Sequence, residues 1–140
     1  MKGVYVLLIE LNKDLKIKIG KLGKIEFKKG YYAYVGSALN SLEKRIERHF
    51  RKNKRSFWHI DYFLEKAKIK EFVYAEINKR KECEIAKLNL KFIKGFGCSD
   101  CKCKSHLFYS KNYNYLKRKI LESFQKNNLR PIIKKELWMY

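Results

Sequence analysis

The chain has 140 residues, a length that fits one domain, and its 46% apolar content is enough for a real core. Lys and Arg number 34 against 14 Asp and Glu, a net charge of +20, which implies a polyanionic partner: nucleic acid first, an anionic membrane surface second. The longest early apolar run, Val4 to Ile9, is too short to span a bilayer or form a signal core. The expectation is a cytoplasmic protein with no membrane partner. Its four cysteines then read as reduced thiols or metal ligands rather than disulfides.

In chain order, "GVYVLLIEL" (3–11) is β-branched and apolar on both faces, as a buried central strand is. Residues 12–29 alternate apolar residues with Lys and contain Gly20 and Gly23, which predicts a peripheral hairpin. Residues 31–35 form the next strand, and Gly36 follows as a corner. Asn40 or Ser41 can cap a helix running to about Asn53. A second helix is expected at 58–67, a strand at 69–77, and a third helix at 82–94 ended by Gly95. "FGCSDCKCKSHLFYS" reads as irregular, 113–127 as a basic amphipathic helix, and Pro131 opens a short tail. No repeat or linker divides the chain. The fold class is α/β or α+β, a small central sheet flanked by helices. The whole of 1–140 reads as a single domain, with a core at about 3–94, a Cys-rich loop at 95–110 and a C-terminal helix.

The first helix holds the most informative pattern. At 100° per residue, Leu39, Leu42, Ile46 and Phe50 fall within an arc of roughly 80°, the buried stripe. Arg45 and His49 lie one turn apart just beyond its edge, where a cleft between helix and sheet could open. From Lys44 to Arg55 there are seven Lys or Arg and one acid, Glu47. Arg48, Arg51, Lys52, Lys54 and Arg55 therefore read as a nucleic-acid-binding face, and the same run also fits a plain solvated face. Tyr5 and Tyr34 are open in the same way, as core phenols or as reactive ones. Side-chain alternation puts Tyr32 and Tyr34 on one face of their strand, with Ala33 and Val35 on the other.

"GVY" on the first strand, "YVG" on the second and "LEKRIERH" on the following helix resemble the GIY-YIG nuclease superfamily over residues 3 to about 94. "GFGCSDCKCKSHLFY" looks like a small archaeal branch of it, sometimes fused to a DNA glycosylase and of unassigned function. The resemblance implies a GIY-YIG-type sheet and hydrolysis of phosphodiester bonds by a tyrosine pair, a helix arginine, often a histidine, and one divalent metal held by glutamate. It gives Tyr5 and Tyr34 the tyrosine roles, Gly36 a close approach to the nucleic acid, and Arg45 the scissile phosphate. His49 stands a turn behind Arg45, and His59 stands where several members carry a further histidine. Tyr5 and Tyr34 are 29 residues apart (34 − 5), far more than the usual short link, and the hairpin at 12–29 absorbs the difference. Aligned to the metal-ligand helix, Asn89 falls near the expected glutamate. On a helix over 82–94, Glu82 lies with Ala86, Leu90 and Ile93, whereas Glu84 points outward with Lys87 and Lys91. Glu82 is thus the expected Mg²⁺ or Mn²⁺ ligand and Glu84 its alternative. A carboxylate there also suits a helix N-terminus with no metal.

Such a site would lower the Tyr5 phenol from near 10 through a neighbouring cation and the metal, suiting it to base duty that His49 or Tyr34 could otherwise take. The functional groups of Tyr5, Tyr34, Arg45 and Glu82 are then expected within roughly 10 Å of one point. Separately, Cys98, Cys101, Cys103 and His106 have x2, x1, x2 spacing and form a candidate Zn²⁺ site. The alternative places Asp100 and His106 in the cleft with the cysteines as reduced core thiols. Cys83 reads as core. The functional expectation is a metal-dependent endonuclease acting on DNA, pointing to DNA repair. The alternatives are a basic nucleic-acid-binding module on a nuclease-like scaffold and a zinc-bearing structural partner in a larger assembly.

Overall fold

The computed structural model describes residues 1–98 and 101–138. Its centre is strand β1 (Gly3–Leu11), the unbroken apolar run. β1 pairs antiparallel with β4 (Gly30–Ala38) on one side and with β5 (Lys68–Glu76) on the other. A strand paired on both edges and covered on both faces has no polar side, which is why its sequence shows no alternation. β7 (Leu107–Ser110) adds beyond β4 and β6 (Lys91–Phe92) beyond β7, while β8 (Ile132–Lys134) closes the other edge on β5. The architecture is mixed α+β: a six-stranded antiparallel sheet in the order β6-β7-β4-β1-β5-β8, and a separate hairpin of β2 (Leu15–Lys18) and β3 (Lys24–Phe27).

The residues of β1 divide between two cores. Tyr5, Leu7, Ile9 and Leu11 face one way, with Tyr32, Phe72 and Tyr74 from the neighbouring strands. Helix α1 (Leu42–Phe50), helix α2 (His59–Leu64) and the hairpin, through Ile17 and Phe27, cover that face. Val4, Val6 and Leu8 face the other way with Ala33, Val35, Val73 and Ala75. The one-turn helix α3 (Glu82–Ile85) and the long α4 (Tyr113–Lys126) cover them through Ile85, Leu116, Ile120 and Phe124. Tyr32 and Tyr34 do share one face, and Ala33 and Val35 the other, as strand alternation requires.

The hairpin and the five elements β1, β4, α1, α2 and β5 lie where the sequence places them, with shifted ends. β4 continues to Ala38, α1 stops at Phe50 and α2 at Leu64. Ser41, not Asn40, caps α1: its hydroxyl accepts the Lys44 N–H at 3.2 Å. The third helix is the main correction. It is a single turn, and the chain beyond it runs into β6, whose Lys91 and Phe92 pair with Tyr109 and Phe108. The Ile93 N–H bonds the Leu107 carbonyl at 3.0 Å. A neighbouring strand supplies backbone partners that outweigh the weak helical pattern of 86–94. That neighbour is β7, inside the segment expected to be irregular; its four apolar-to-polar residues are too few to stand out beside the cysteines. The tail after Pro131 is likewise a strand, β8, at the sheet edge. Among the described residues no helix is long and apolar enough to cross a membrane.

Candidate active site

β1 and β4 set the floor of the site. Their register puts Gly36 opposite Tyr5 and Tyr34 opposite Leu7, so both phenols rise from one face of the sheet. A Cβ on Gly36 would stand 2.5 Å from the Tyr5 phenol oxygen. The glycine is therefore needed by the phenol that lies across it, and its backbone also lines the cavity of this site.

His49 comes down from α1 onto the same phenol. Its Nε2 is 2.7 Å from the Tyr5 oxygen, and the ring is only 2% exposed. It lies within the buried side of α1 rather than at its edge, because Tyr5 offers the polar partner that a buried imidazole needs. Its Nδ1 is buried with no hydrogen-bond partner. Burial pulls the His49 pKa down to about 3, against the attraction of Asp61. The imidazole is neutral. Burial, reinforced by Tyr34, drives the Tyr5 phenol well above its ordinary value, and Arg45 and Arg48 only oppose this. Burial also raises Tyr34, against Arg45. The expectation of a cation-depressed Tyr5 is reversed because desolvation of a phenolate in this floor outweighs two nearby guanidinium groups.

Arg45 is half-buried, as its place beside the apolar stripe requires. One Nη donates to the Ser37 carbonyl at 3.0 Å, and the guanidinium stands 4.7 Å from the centre of the Trp58 ring. Arg48 stacks on the same indole at 4.2 Å. Its two Nη groups fork onto Asp61 at 2.8 and 2.9 Å. Asp61 is buried and also accepts the Phe57 and Trp58 N–H groups at 2.8 Å. Burial pushes the Asp61 carboxyl up, but the Arg48 fork and these N–H donors outweigh it and hold the pKa below the usual range. Arg48 is thus committed to an internal ion pair rather than to the basic face assigned to it. Lys54 is drawn in too: its ammonium donates to the carbonyls of His49 and Arg51. Lys52 reaches the Leu64 carbonyl at 3.4 Å while remaining exposed, as Arg51 and Arg55 do.

Tyr5, Tyr34, Arg45 and Trp58 line a cavity of about 670 Å³, whose walls also include Gly36, His59 and Glu82; His49, Arg48 and Asp61 lie behind this wall. Glu82, at the start of α3, is held by the Ser37 hydroxyl, which donates to Oε2. Arg80 stands 3.7 Å from Oε1, and the side chain is 16% exposed. Glu84 is exposed to solvent and lines no part of this cavity. The Nδ1 of His59 accepts the Gly97 N–H at 2.8 Å, and burial lowers its pKa.

A second cluster adjoins the cavity wall. Cys83, Cys101, Cys103 and His106 bring three sulfurs and one ring nitrogen within 4.8 Å of one another, a group that could hold a metal ion. Cys83, expected in the core, takes the place given to Cys98. The Cys98 thiol instead donates to the Phe96 carbonyl at 3.5 Å. Spacing within one loop could not reveal a sulfur delivered by α3. All four cysteines are free thiols. Asp100, the alternative cleft residue, lies outside the described residues, whereas His106 does line the cavity.

From residue 4 to residue 129 the sequence matches the family model described as "Domain of unknown function DUF123". The chain belongs to that family. No curated protein and no solved structure matches it. The span matched by the family runs from β1 past the end of α4, and it takes in the residues of both the cavity and the cysteine cluster. Ser37, Trp58, Asp61 and Cys83 escaped the sequence reading. "WHID" offered the one usable signal: an aspartate three residues into a helix start, close to an arginine-rich helix.

Proposed function

We propose that this protein is a metal-dependent endonuclease of the GIY-YIG type, hydrolysing phosphodiester bonds in DNA within the cytoplasm and serving DNA repair. The observation that carries the reading is that the phenols of Tyr5 and Tyr34, the Arg45 guanidinium, His59 and the Glu82 carboxylate, from separate elements, line one cavity, with His49 bonded to Tyr5 behind it. The net charge of +20 supports a polyanionic substrate. Phe57, 79% exposed beside Trp58 at the rim, offers a face for stacking an unpaired base.

The chemistry starts from Arg45. One of its donors is spent on Ser37, and the rest of the fork can neutralise the non-bridging oxygens of a scissile phosphate. Tyr5 and His49 act as a pair. The phenol is held protonated and the imidazole neutral, so Tyr5, anchored on His49 Nε2, orients the attacking water as a hydrogen-bond acceptor, and the proton of that water leaves to solvent through the cavity. Tyr34 positions the water or a phosphate oxygen through its hydroxyl. Arg48 and Asp61 hold Trp58 against Arg45. Glu82 fits a hard divalent ion: it is an oxygen donor oriented by Ser37, with room for water beside it and a cationic neighbour no closer than 3.7 Å. Mg²⁺ or Mn²⁺ held there would stabilise the charge on the leaving oxygen. The cysteine cluster, rich in soft donors, suits Zn²⁺ instead.

The test is incubation with labelled duplex, flap, junction and single-stranded DNA, and with RNA, in Mg²⁺, Mn²⁺ or EDTA. Metal-dependent scission of DNA is expected. Glu82→Gln should abolish stimulation by the divalent ion while leaving DNA affinity in EDTA nearly unchanged; full activity in that variant would end the one-metal proposal. The second reading is a basic binding module that does not cut, favoured by the two phenols held far from ionisation. Salt-sensitive binding without scission on any of these substrates would select it.

A further inference from the structure

We propose that Cys83, Cys101, Cys103 and His106 bind one zinc ion as a closed structural centre that clamps the turn carrying Glu82 to the segment between β6 and β7. The four donor atoms already lie within 4.8 Å of one another. A tetrahedral zinc with Zn–S near 2.3 Å and Zn–N near 2.0 Å sets its ligand atoms roughly 3.5–3.8 Å apart. Closure therefore asks for a contraction of about 1 Å at the widest pair, within the reach of side-chain rotation.

The histidine is oriented as a ligand. His106 is buried, and its Nδ1 lies 3.1 Å from the Val35 carbonyl. A carbonyl oxygen only accepts, so Nδ1 carries the hydrogen and Nε2 carries the lone pair. That Nε2 faces the thiols, 3.2 Å from the Cys101 sulfur. A backbone carbonyl fixing the tautomer of an imidazole is the usual support for a metal-bound histidine. Three sulfurs and one imidazole select zinc over magnesium or manganese. Four protein ligands leave no open position, which marks a structural rather than a hydrolytic ion.

The fold also has a use for a clamp here. α3 is a single turn of four residues, too short to hold its own shape. Among the described residues between β6 and β7 no further strand or helix forms. Its second face is anchored by Ile85 against α4. Cys83 directly follows Glu82, and His106 is bonded to β4 through Val35. A zinc ion would thus tie the Glu82 carboxylate to the strand that carries Tyr34 and Gly36. A disulfide between any two of these thiols would leave the third sulfur and the histidine without a role.

Metal content decides the matter without DNA. The purified 140-residue chain, loaded with zinc and dialysed, is expected to keep one zinc per chain. Replacement by cobalt should give thiolate-to-cobalt charge-transfer bands in the near ultraviolet and tetrahedral d–d bands in the red. Cys83→Ser should lose the zinc or release it at much lower chelator concentration; Cys98→Ser should keep it with an unchanged cobalt spectrum. A wild-type chain that retains no zinc, or a Cys98→Ser chain that loses it as fully as Cys83→Ser, overturns the assignment. If Cys83→Ser does not fold, the cobalt spectrum of the wild-type chain decides, since an octahedral spectrum without thiolate bands also overturns it. A chain that binds zinc but cuts nothing defeats the nuclease reading and leaves this one standing.

Discussion

The two faces of the sheet are built from the same strands and do opposite things. On the α4 face, Val4, Val6, Leu8, Ala33 and Val35 meet Leu116, Ile120 and Phe124 in a largely apolar layer. On the α1–α2 face, the alternate residues are Tyr5, Tyr32, Phe72 and Tyr74, and the buried groups above them include His49 and Asp61. The first layer is apolar apart from Glu71 and Ser123, which turn to Tyr113, Lys117 and the Ile85 carbonyl on the helix side. The second is made of long aromatic ones whose polar ends must meet partners, and it opens into a cavity where Gly36 removes a side chain. One face carries stability, the other carries chemistry, and strand alternation keeps them separate.

The largest expected effect lies on the α4 face. Phe124→Ala should cost about 3–5 kcal/mol of folding stability, because it empties a fully buried site. Cleavage per folded molecule should not change. Chemical denaturation read beside activity checks both, and loss of activity in fully folded protein would join the two faces functionally. Arg45→Ala should do the reverse. Cleavage should fall by about 10²–10³, the worth of one donor aimed at developing charge, while denaturation shifts by under about 1 kcal/mol, since a half-buried edge side chain leaves no core cavity. A stability loss matching that of Phe124→Ala would make Arg45 a structural residue.

Gly36→Ala tests the seam between the two roles. Its new methyl would meet the Tyr5 oxygen at 2.5 Å and Cζ at 2.6 Å, so the phenol must leave His49. A cost of about 1–3 kcal/mol is expected, together with weaker cleavage. Unchanged kinetics would mean that the Tyr5–His49 contact is not part of the reaction. The last effect is an acid one, absent at neutral pH. His49 stays neutral in the folded chain down to about 3, against 6.5 for the unperturbed group. Below about pH 6.5 the unfolded chain takes up a proton that the folded chain refuses. Stability is therefore complete above that pH and falls as pH drops toward 3, by at most about 1.4 kcal/mol per pH unit from this residue. Thermal melts of wild type and His49→Gln across pH 7 to 4 should diverge in this sense, with the glutamine variant flatter; parallel curves would remove His49 as the cause.

Much of this was legible in the chain. The unbroken run of 3–11 marks a strand covered on both faces because only a central strand tolerates it. The alternation of Tyr32, Ala33, Tyr34 and Val35 assigns each side chain to its layer, and Ser41 announces the start of α1 through its capping hydroxyl. The net charge of +20 belongs to the sequence alone. These are local or additive properties, and a local pattern carries them. The partner of each polar group is not local. His49 finds Tyr5 44 positions away, Arg48 finds Asp61, and Cys83 finds the loop at 101–106 through the way α3 lies against β4 and α4. Residues 86–94 carry a helical period, yet β7 offers them a ladder, and paired backbone groups prevail over a marginal propensity. The sign of the Tyr5 shift was hidden for the same reason. The sequence displays the cations that would lower it, but only the packed floor sets how much water is lost, and that desolvation is the larger effect.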